Sequence, residues 1–461
     1  MKYFKRQYSL DFEQPIWDRD PELLIIDQIL DNNPQIVLLA AGCFTRAQDE
    51  RQATVGRDGV TLEQVVRCAI YQRQKGLTYR QLSDQTEDSK KCRSFTKMEY
   101  NQYFSHQALQ ENISKITPDV LEKIHIAICQ YAIDLGVDDG KKIRTDSTAI
   151  KTNIHYPTNA SLLWDCIRVS CRLLKETKGL LKVFNFRNYQ KSGKKLLFKI
   201  VNTKGKERRR PLFKKMLQTQ RRCERQPDRP GMENAIEQLS SYSFQNPHQE
   251  KQRHELLQNL DALLLKMQQV TDVAHRREIL GEDVPVEDKL FSIFEDHTDC
   301  IVKGGREAIF GHKINLTSGK SNLIFDCIQK RGNPADPSYF PETLDNLSVN
   351  FNITPRDVAG DGGFASKNNV RDAKRRGILN IVFHKVRGSL QNIASSKKME
   401  TMLKKWRAGM EAIISNFKRG LKVSLCTWKG WEAFKSFILW SIITFNLRVI
   451  ANWIIAKLQT S

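Results

Sequence analysis

Three carboxylates occur where phosphodiester chemistry could use them: Asp146 in TDSTAI, Asp361 in VAGDGG and Glu411 in RAGMEAI. Carboxylates gathered in one place repel unless a divalent cation neutralises them, and an all-oxygen set suits Mg²⁺, with Mn²⁺ as a substitute. Two such ions about 3.5 to 4 Å apart activate a water or hydroxyl and stabilise the leaving oxygen in phosphoryl transfer. Glu411 shares its helical face with Arg407 one turn before it and with Ser415 and Lys418 after it. Cations on that face can grip phosphates beside a scissile bond. The same stripe, taken alone, is also what a solvated helix with i,i+4 ion pairs looks like. Asp357 is a rival for the second acid, but the glycine pair after Asp361 lets a backbone approach closely.

These residues need elements to hold them. KKIRTDSTAI (141–150) alternates as a strand. From about residue 290, LFSIFE, DCIVKG, FGHKINLT and NLIFDCIQ read as successive antiparallel strands. They are followed by helix PETLDNLSVNF, strand end DVAGDGG, helix SKNNVRDAKRRG and strand ILNIVFHKV. In the next helix Trp406, Met410, Ile413 and Phe417 recur at core-facing spacing. The pattern predicts an α/β fold, a mixed sheet flanked by helices, formed by 141–165 and 290–461. Residues 166–289 read as a large basic helical insertion. The apolar run from Phe434 to Ile455 is broken by Lys435, Asn446, Arg448 and Asn452, which predicts a buried or half-buried helix and no membrane association.

Formal net charge is +22, from 74 Lys and Arg against 52 Asp and Glu, so a polyanion is the expected partner. Residues 191–229 alone carry 15 Lys or Arg and 3 acids, an excess of +12 that marks Arg208, Arg209, Arg210, Lys214 and Lys215 as candidates for DNA backbone contact. A first helix is bounded by a Thr61/Gln64 capping box and Gly76; a second opens at once with Thr78 and Gln81. A third, SHQALQENISKI, buries Leu109, Ile113 and Ile116 and turns Gln107 and Gln110 outward. Residues 59–116 therefore read as an all-α, helix-turn-helix-like DNA-binding region, preceded by an arm (1–58) and followed by a helical connector (117–140). His155, and Lys313 next to His312, are further candidates for DNA contact, though either histidine could equally be structural. Ten cysteines without a C-x-x-C pair and an N-terminus without an apolar signal run suggest reduced thiols in a cytoplasm.

In order, IRTDSTAIKTNIHYPTNASLLWD, FGHKINL, RGNPADPS, VAGDGGFAS and RAGMEAIISNFKRG resemble the DDE transposases of bacterial insertion sequences, in particular the ISNCY group, from about Gly56 to the end of the chain. The resemblance implies an RNase H-like catalytic domain with Asp146, Asp361 and Glu411 as its metal-binding triad. It also implies Mg²⁺-dependent cleavage at transposon ends and attack of the freed 3′-hydroxyl on target DNA. Double-stranded DNA is then the partner, in a nucleoid-associated setting, and pairing two ends implies a homodimer. Related transposases carry the signature Y-x2-R-x3-E-x6-K; Arg407, Glu411 and Lys418 match it, and Lys404 stands at the tyrosine position. The alternative reading is a DNA-binding regulator or inactive element-derived protein.

Overall fold

A computed structural model describes residues 20–44, 59–99, 102–225, 230–302, 307–384, 390 and 392–460. The chain forms two compact units, one from 1–151 with 312–461 and the other from 152–311.

The first unit opens with α1 (Pro21–Asn32) and α2 (Pro34–Leu38). Leu23, Ile26, Ile29 and Leu30 are buried in its core, so the described part of the expected arm is an integral layer of the unit. Arg67 ties it down. Its fully buried guanidinium meets Asp27 and Asp31 of α1 at 2.5 Å each and Glu63 at 2.8 Å. Arg67 lies on α3 (Leu62–Lys75), whose start is fixed by reciprocal hydrogen bonds between Thr61 and Gln64 and whose end is fixed by Gly76 at φ 60°. Helices α4 (Tyr79–Asp88), α5 (Lys90–Phe95), α6 (His106–Lys115) and α7 (Pro118–Asp134) complete the helical part before the sheet.

Strand β1 (Lys142–Thr152) is hydrogen-bonded through its first half to β5 (Asp357–Asp361), and β5 to β6 (Asn380–His384), all parallel. On the other side of β1 runs β3 (Ile309–Ser318), antiparallel to β4 (Ile324–Gln329). A short β7 (Leu425–Cys426) joins the second half of β1. Helices α13 (Tyr339–Phe351), α14 (Lys367–Arg375), α15 (Lys397–Gly420) and α16 (Trp431–Thr460) flank this sheet. Among the described residues α16 alone is long and apolar enough to cross a membrane, but 67% of its most apolar stretch is buried in the fold. Asn446 explains why a polar residue interrupts it: its amide accepts from Ile324 N at 2.9 Å and donates to Ile324 O at 2.8 Å, docking the helix on β4.

The second unit is built from α8 (Asn159–Leu180), α9 (Gln190–Asn202), α10 (Lys206–Glu224), α11 (Met232–Ser241) and α12 (Pro247–His275) around a core of its own that includes Ile167, Leu174, Met216, Leu260 and Met267. Strand β2 (Asp299–Ile301) pairs antiparallel with the first residues of β3. The unit's limits differ from the insertion read at 166–289: residues 152–165 and 290–311 fold with the helices. LFSIFE is not a strand. The Ser292 hydroxyl accepts from Phe294 N and Glu295 N at 3.1 Å each, a local turn that competes with extended pairing, while Ile293 is buried in the helical core.

Candidate active site

The parallel register places Thr145 opposite Gly360, so the next residue along each strand is an acid: Asp146 on β1 and Asp361 at the end of β5. Glu411 arrives on α15, whose apolar stripe of Met410, Ile413 and Phe417 is buried, with Trp406 half-buried beside it. One guanidinium joins all three acids. Arg407 Nη2 lies 2.6 Å from Asp146 Oδ2 and 3.6 Å from Asp361 Oδ1, and Arg407 Nη1 lies 3.1 Å from Glu411 Oε1. Arg407 is buried and Asp146 nearly so, while Asp361 is half-exposed and Glu411 is exposed at 71%, so the cluster is firm around Arg407 and Asp146 and open toward Asp361 and Glu411. Asp146 Oδ1 also accepts from Ser147 N at 2.8 Å.

Two further anchors set the position of α15. Arg144, two residues before Asp146, donates from Nη1 to Trp406 O at 2.7 Å, from Nε to Ser318 Oγ at 3.3 Å and from Nη2 to Asn322 Oδ1. Gly409 makes room for it, because a Cβ there would stand 2.2 Å from Arg144 Nη1. Farther along, Lys418 Nζ donates to Ala149 O at 2.8 Å and Thr148 Oγ1 at 3.2 Å, which ties the helix to β1 beyond Asp146. Lys404, at the position of the family tyrosine, pairs with Glu400 at 2.5 Å.

A partly buried bridge supports the sheet side. Asp336 Oδ1 accepts from Ser147 Oγ at 3.1 Å and pairs with Lys313 Nζ at 2.9 Å; Lys313 also donates to Pro334 O. Thus Lys313 is linked through Asp336 to Ser147, the chain neighbour of Asp146. Asp336 also packs under Gly363, where a Cβ would meet its Oδ2 at 2.9 Å. Asp357, the rival acid, sits buried at the opposite end of β5, held by Arg356 Nη2 at 2.7 Å and Asn380 Nδ2 at 2.6 Å.

The remaining sequence candidates lie elsewhere. His312 is a core residue, fully buried with its ring 4.7 Å from those of Trp431 and Phe434. His155 belongs to the second unit and pairs with Asp165 at 3.3 Å. Gln107 and Gln110 are exposed on α6. Arg208, Lys214 and Lys215 are exposed on α10 of the second unit, Arg209 is half-buried, and Arg210 donates to Ile279 O at 2.7 Å. Sequence reasoning missed Arg144, Asp336 and His384, the last being the register partner of Asp361 on β6. Arg144 was within reach of the period-2 rule, since i and i+2 on a strand share a face with Asp146. Asp336 was in plain view within RGNPADPS.

Residues 301–447 match the family model of the transposase DDE domain. This segment is similar to transposase DDE domains. No curated protein and no solved structure matches the chain. The DDE domain match contains Asp361, Arg407, Glu411 and Lys418, whereas Asp146 precedes it and joins the other acids through the fold. With that domain, the mixed sheet and its flanking helices fit an α/β RNase H-like fold. Members of this family generally use divalent metal ions. Among the described residues no three His, Cys, Asp or Glu side chains stand close enough to hold a metal as they are. The donor set nevertheless fits a hard cation: three carboxylates, all oxygen, converge on one positive group.

Proposed function

We propose that this protein is a DNA transposase of a bacterial insertion sequence, related to the ISNCY group, with Asp146, Asp361 and Glu411 as its catalytic acids. The observation that carries the reading is their convergence on Arg407 from two strands and a helix that are far apart in sequence. Three acids around a single cation leave a net negative site. Mg²⁺ or Mn²⁺ held by these carboxylates would supply Lewis acidity and a more acidic attacking water or hydroxyl. Arg407 then has to release Asp146 and Asp361, and its freed guanidinium can turn to a phosphate of the bound strand. Asp336 and Ser147 hold the β1 side of the site, and the Arg144 and Lys418 anchors hold Glu411 against it. The first cleavage exposes a 3′-hydroxyl at the element's end, which the same site directs at target DNA.

Recognition of the ends belongs in this reading to the α3–α6 region, with Gln107 and Gln110 offered to base edges, and Arg208 to Lys215 on α10 to backbone phosphates. Pairing two ends calls for two copies of the chain. The test uses purified protein, Mg²⁺ and a duplex carrying the inverted repeats that flank the coding sequence. Nicking at the repeat boundary followed by joining to a second duplex is expected. Tight, repeat-specific binding with no strand cleavage would assign the protein to the class of DNA-binding regulators.

A further inference from the structure

A cavity of about 650 Å³ in the first unit is lined by the α3–α4 turn, by α6, by the segment around β7 and by the first turns of α16. At its wall stands Arg73, only 5% exposed. Its guanidinium lies 4.4 Å from the Phe437 ring centroid, and neither Nε nor Nη1 has a hydrogen-bond partner. The other buried arginines of this unit are met by the chain itself: Arg67 and Arg407 by three carboxylates each, and Arg144 by a carbonyl and two side-chain oxygens. A buried cation with two unpartnered guanidinium nitrogens is costly unless an anion completes it. Burial lowers the Arg73 pKa to about 10, which still leaves it charged at neutral pH.

No acidic residue lines the cavity, but two exposed lysines, Lys422 and Lys429, do. Lys422 is held in place: it has φ 52°, lies across Gly76 so closely that a Cβ there would meet its Cδ at 2.6 Å, and donates to Gly76 O at 3.4 Å. Tyr79 and Trp428 also line the cavity as an aromatic wall, their rings stacked on each other with centroids 5.7 Å apart and planes 23° apart. Cations answer a phosphate, and stacked aromatics offer a face to a planar base. The volume is in the range of small-molecule sites.

We propose that this cavity binds a nucleotide, its phosphate taken by Arg73, Lys422 and Lys429 and its base laid against the Tyr79–Trp428 wall. The nucleotide is either free or part of a DNA strand, since the recognised chemistry is the same. The site is separate from the acid cluster and stands whether or not the chain cleaves DNA.

Calorimetric titration of the full-length protein tests this with the four deoxynucleoside 5′-monophosphates taken singly, inorganic phosphate, thymidine and a short oligothymidylate. At least one monophosphate should bind about tenfold or more tightly than inorganic phosphate or thymidine. The Lys422→Gln/Lys429→Gln double variant, altered only at exposed positions, should weaken that binding about tenfold or more, the consequence of losing charge-assisted hydrogen bonds. Arg73→Lys should weaken it too, with a Tm close to wild type. Competition by the oligothymidylate would assign the nucleotide to a strand, and its absence would assign it to a free ligand. Failure of all four monophosphates to bind, inorganic phosphate binding as well as any of them, or binding indifferent to the lysine variant would overturn the proposal.

Discussion

Gly409→Ala should destabilise the protein although it replaces a helix-interior glycine by the best helix former. In isolation the change favours a helix by about 1 kcal/mol. Here the new Cβ would stand 2.2 Å from Arg144 Nη1, far inside contact distance, and Arg144 is only 4% exposed and pinned at all three guanidinium nitrogens. It has to leave, and with it goes the bond to Trp406 O that seats α15 on β1. Losing a charge-assisted hydrogen bond and orphaning its buried acceptor costs roughly 2 to 3 kcal/mol, so the net loss is about 1 to 2 kcal/mol. The sign is diagnostic in a double-mutant cycle with Arg144→Ala. Without the guanidinium nothing opposes the methyl group, and Gly409→Ala should then stabilise by up to about 1 kcal/mol, a coupling of about 2 to 3 kcal/mol. Urea denaturation of the four proteins measures it. A Gly409→Ala effect of the same sign and size in both backgrounds would refute the claim that Arg144 and Gly409 seat the helix.

Three further outcomes follow from the same geometry. Arg407→Gln should lose about 3 kcal/mol by leaving Asp146 and Asp361 without their shared cation, and Mn²⁺ should raise its Tm more than it raises that of wild type; an equal Mn²⁺ response would separate Arg407 from the acids. Burial raises the Asp326 carboxyl from 3.8 to about 7, so the folded state holds this proton more tightly than the unfolded state and stability falls as pH rises from about 4 to 7. Asp326→Asn should therefore gain on wild type by on the order of 2 kcal/mol between pH 5 and pH 8; denaturation midpoints that run parallel across that range would count against it. Replacing Arg208, Arg209, Arg210, Lys214 and Lys215 by Gln should flatten the slope of log DNA affinity against log salt by about 3 to 4 units if roughly four phosphate contacts are lost, at about 0.9 per phosphate. An unchanged slope would place these charges away from bound DNA.

Much of this was legible in the sequence because it is local. The Thr61/Gln64 and Thr78/Gln81 boxes, the Gly76 stop and the apolar stripe of α15 depend on spacings of a few residues, and each forms as the spacing implies. LFSIFE misled because its alternation is apolar enough for a strand, while a single serine closes the backbone into a turn. What could not be read are the meetings of distant residues: Arg144 with Trp406, Asn446 with Ile324, Arg67 with Asp27. No periodicity in one segment reports its partner in another. Arg407 shows both sides. Its stripe with Glu411 was visible, but its bond to Asp146, 261 residues earlier, was not, and that bond makes it the hub of the cluster. In the same way His312, beside a lysine in a strand, left a site role and a structural role equally open in the sequence, and the rings of Trp431 and Phe434 packed on it make it structural.

The proposed function rests on joint action of Asp146, Asp361 and Glu411 on a phosphodiester bond. It is tested most directly by strand cleavage of repeat-bearing duplex in Mg²⁺ by Asp146→Asn, Asp361→Asn and Glu411→Gln, with DNA affinity measured on the same preparations. Each variant should retain binding, because the phosphate contacts lie on other residues, and each should lose cleavage, because the site has lost one of its three acids. Near wild-type cleavage by any one of the three would remove that residue from the site and contradict the account.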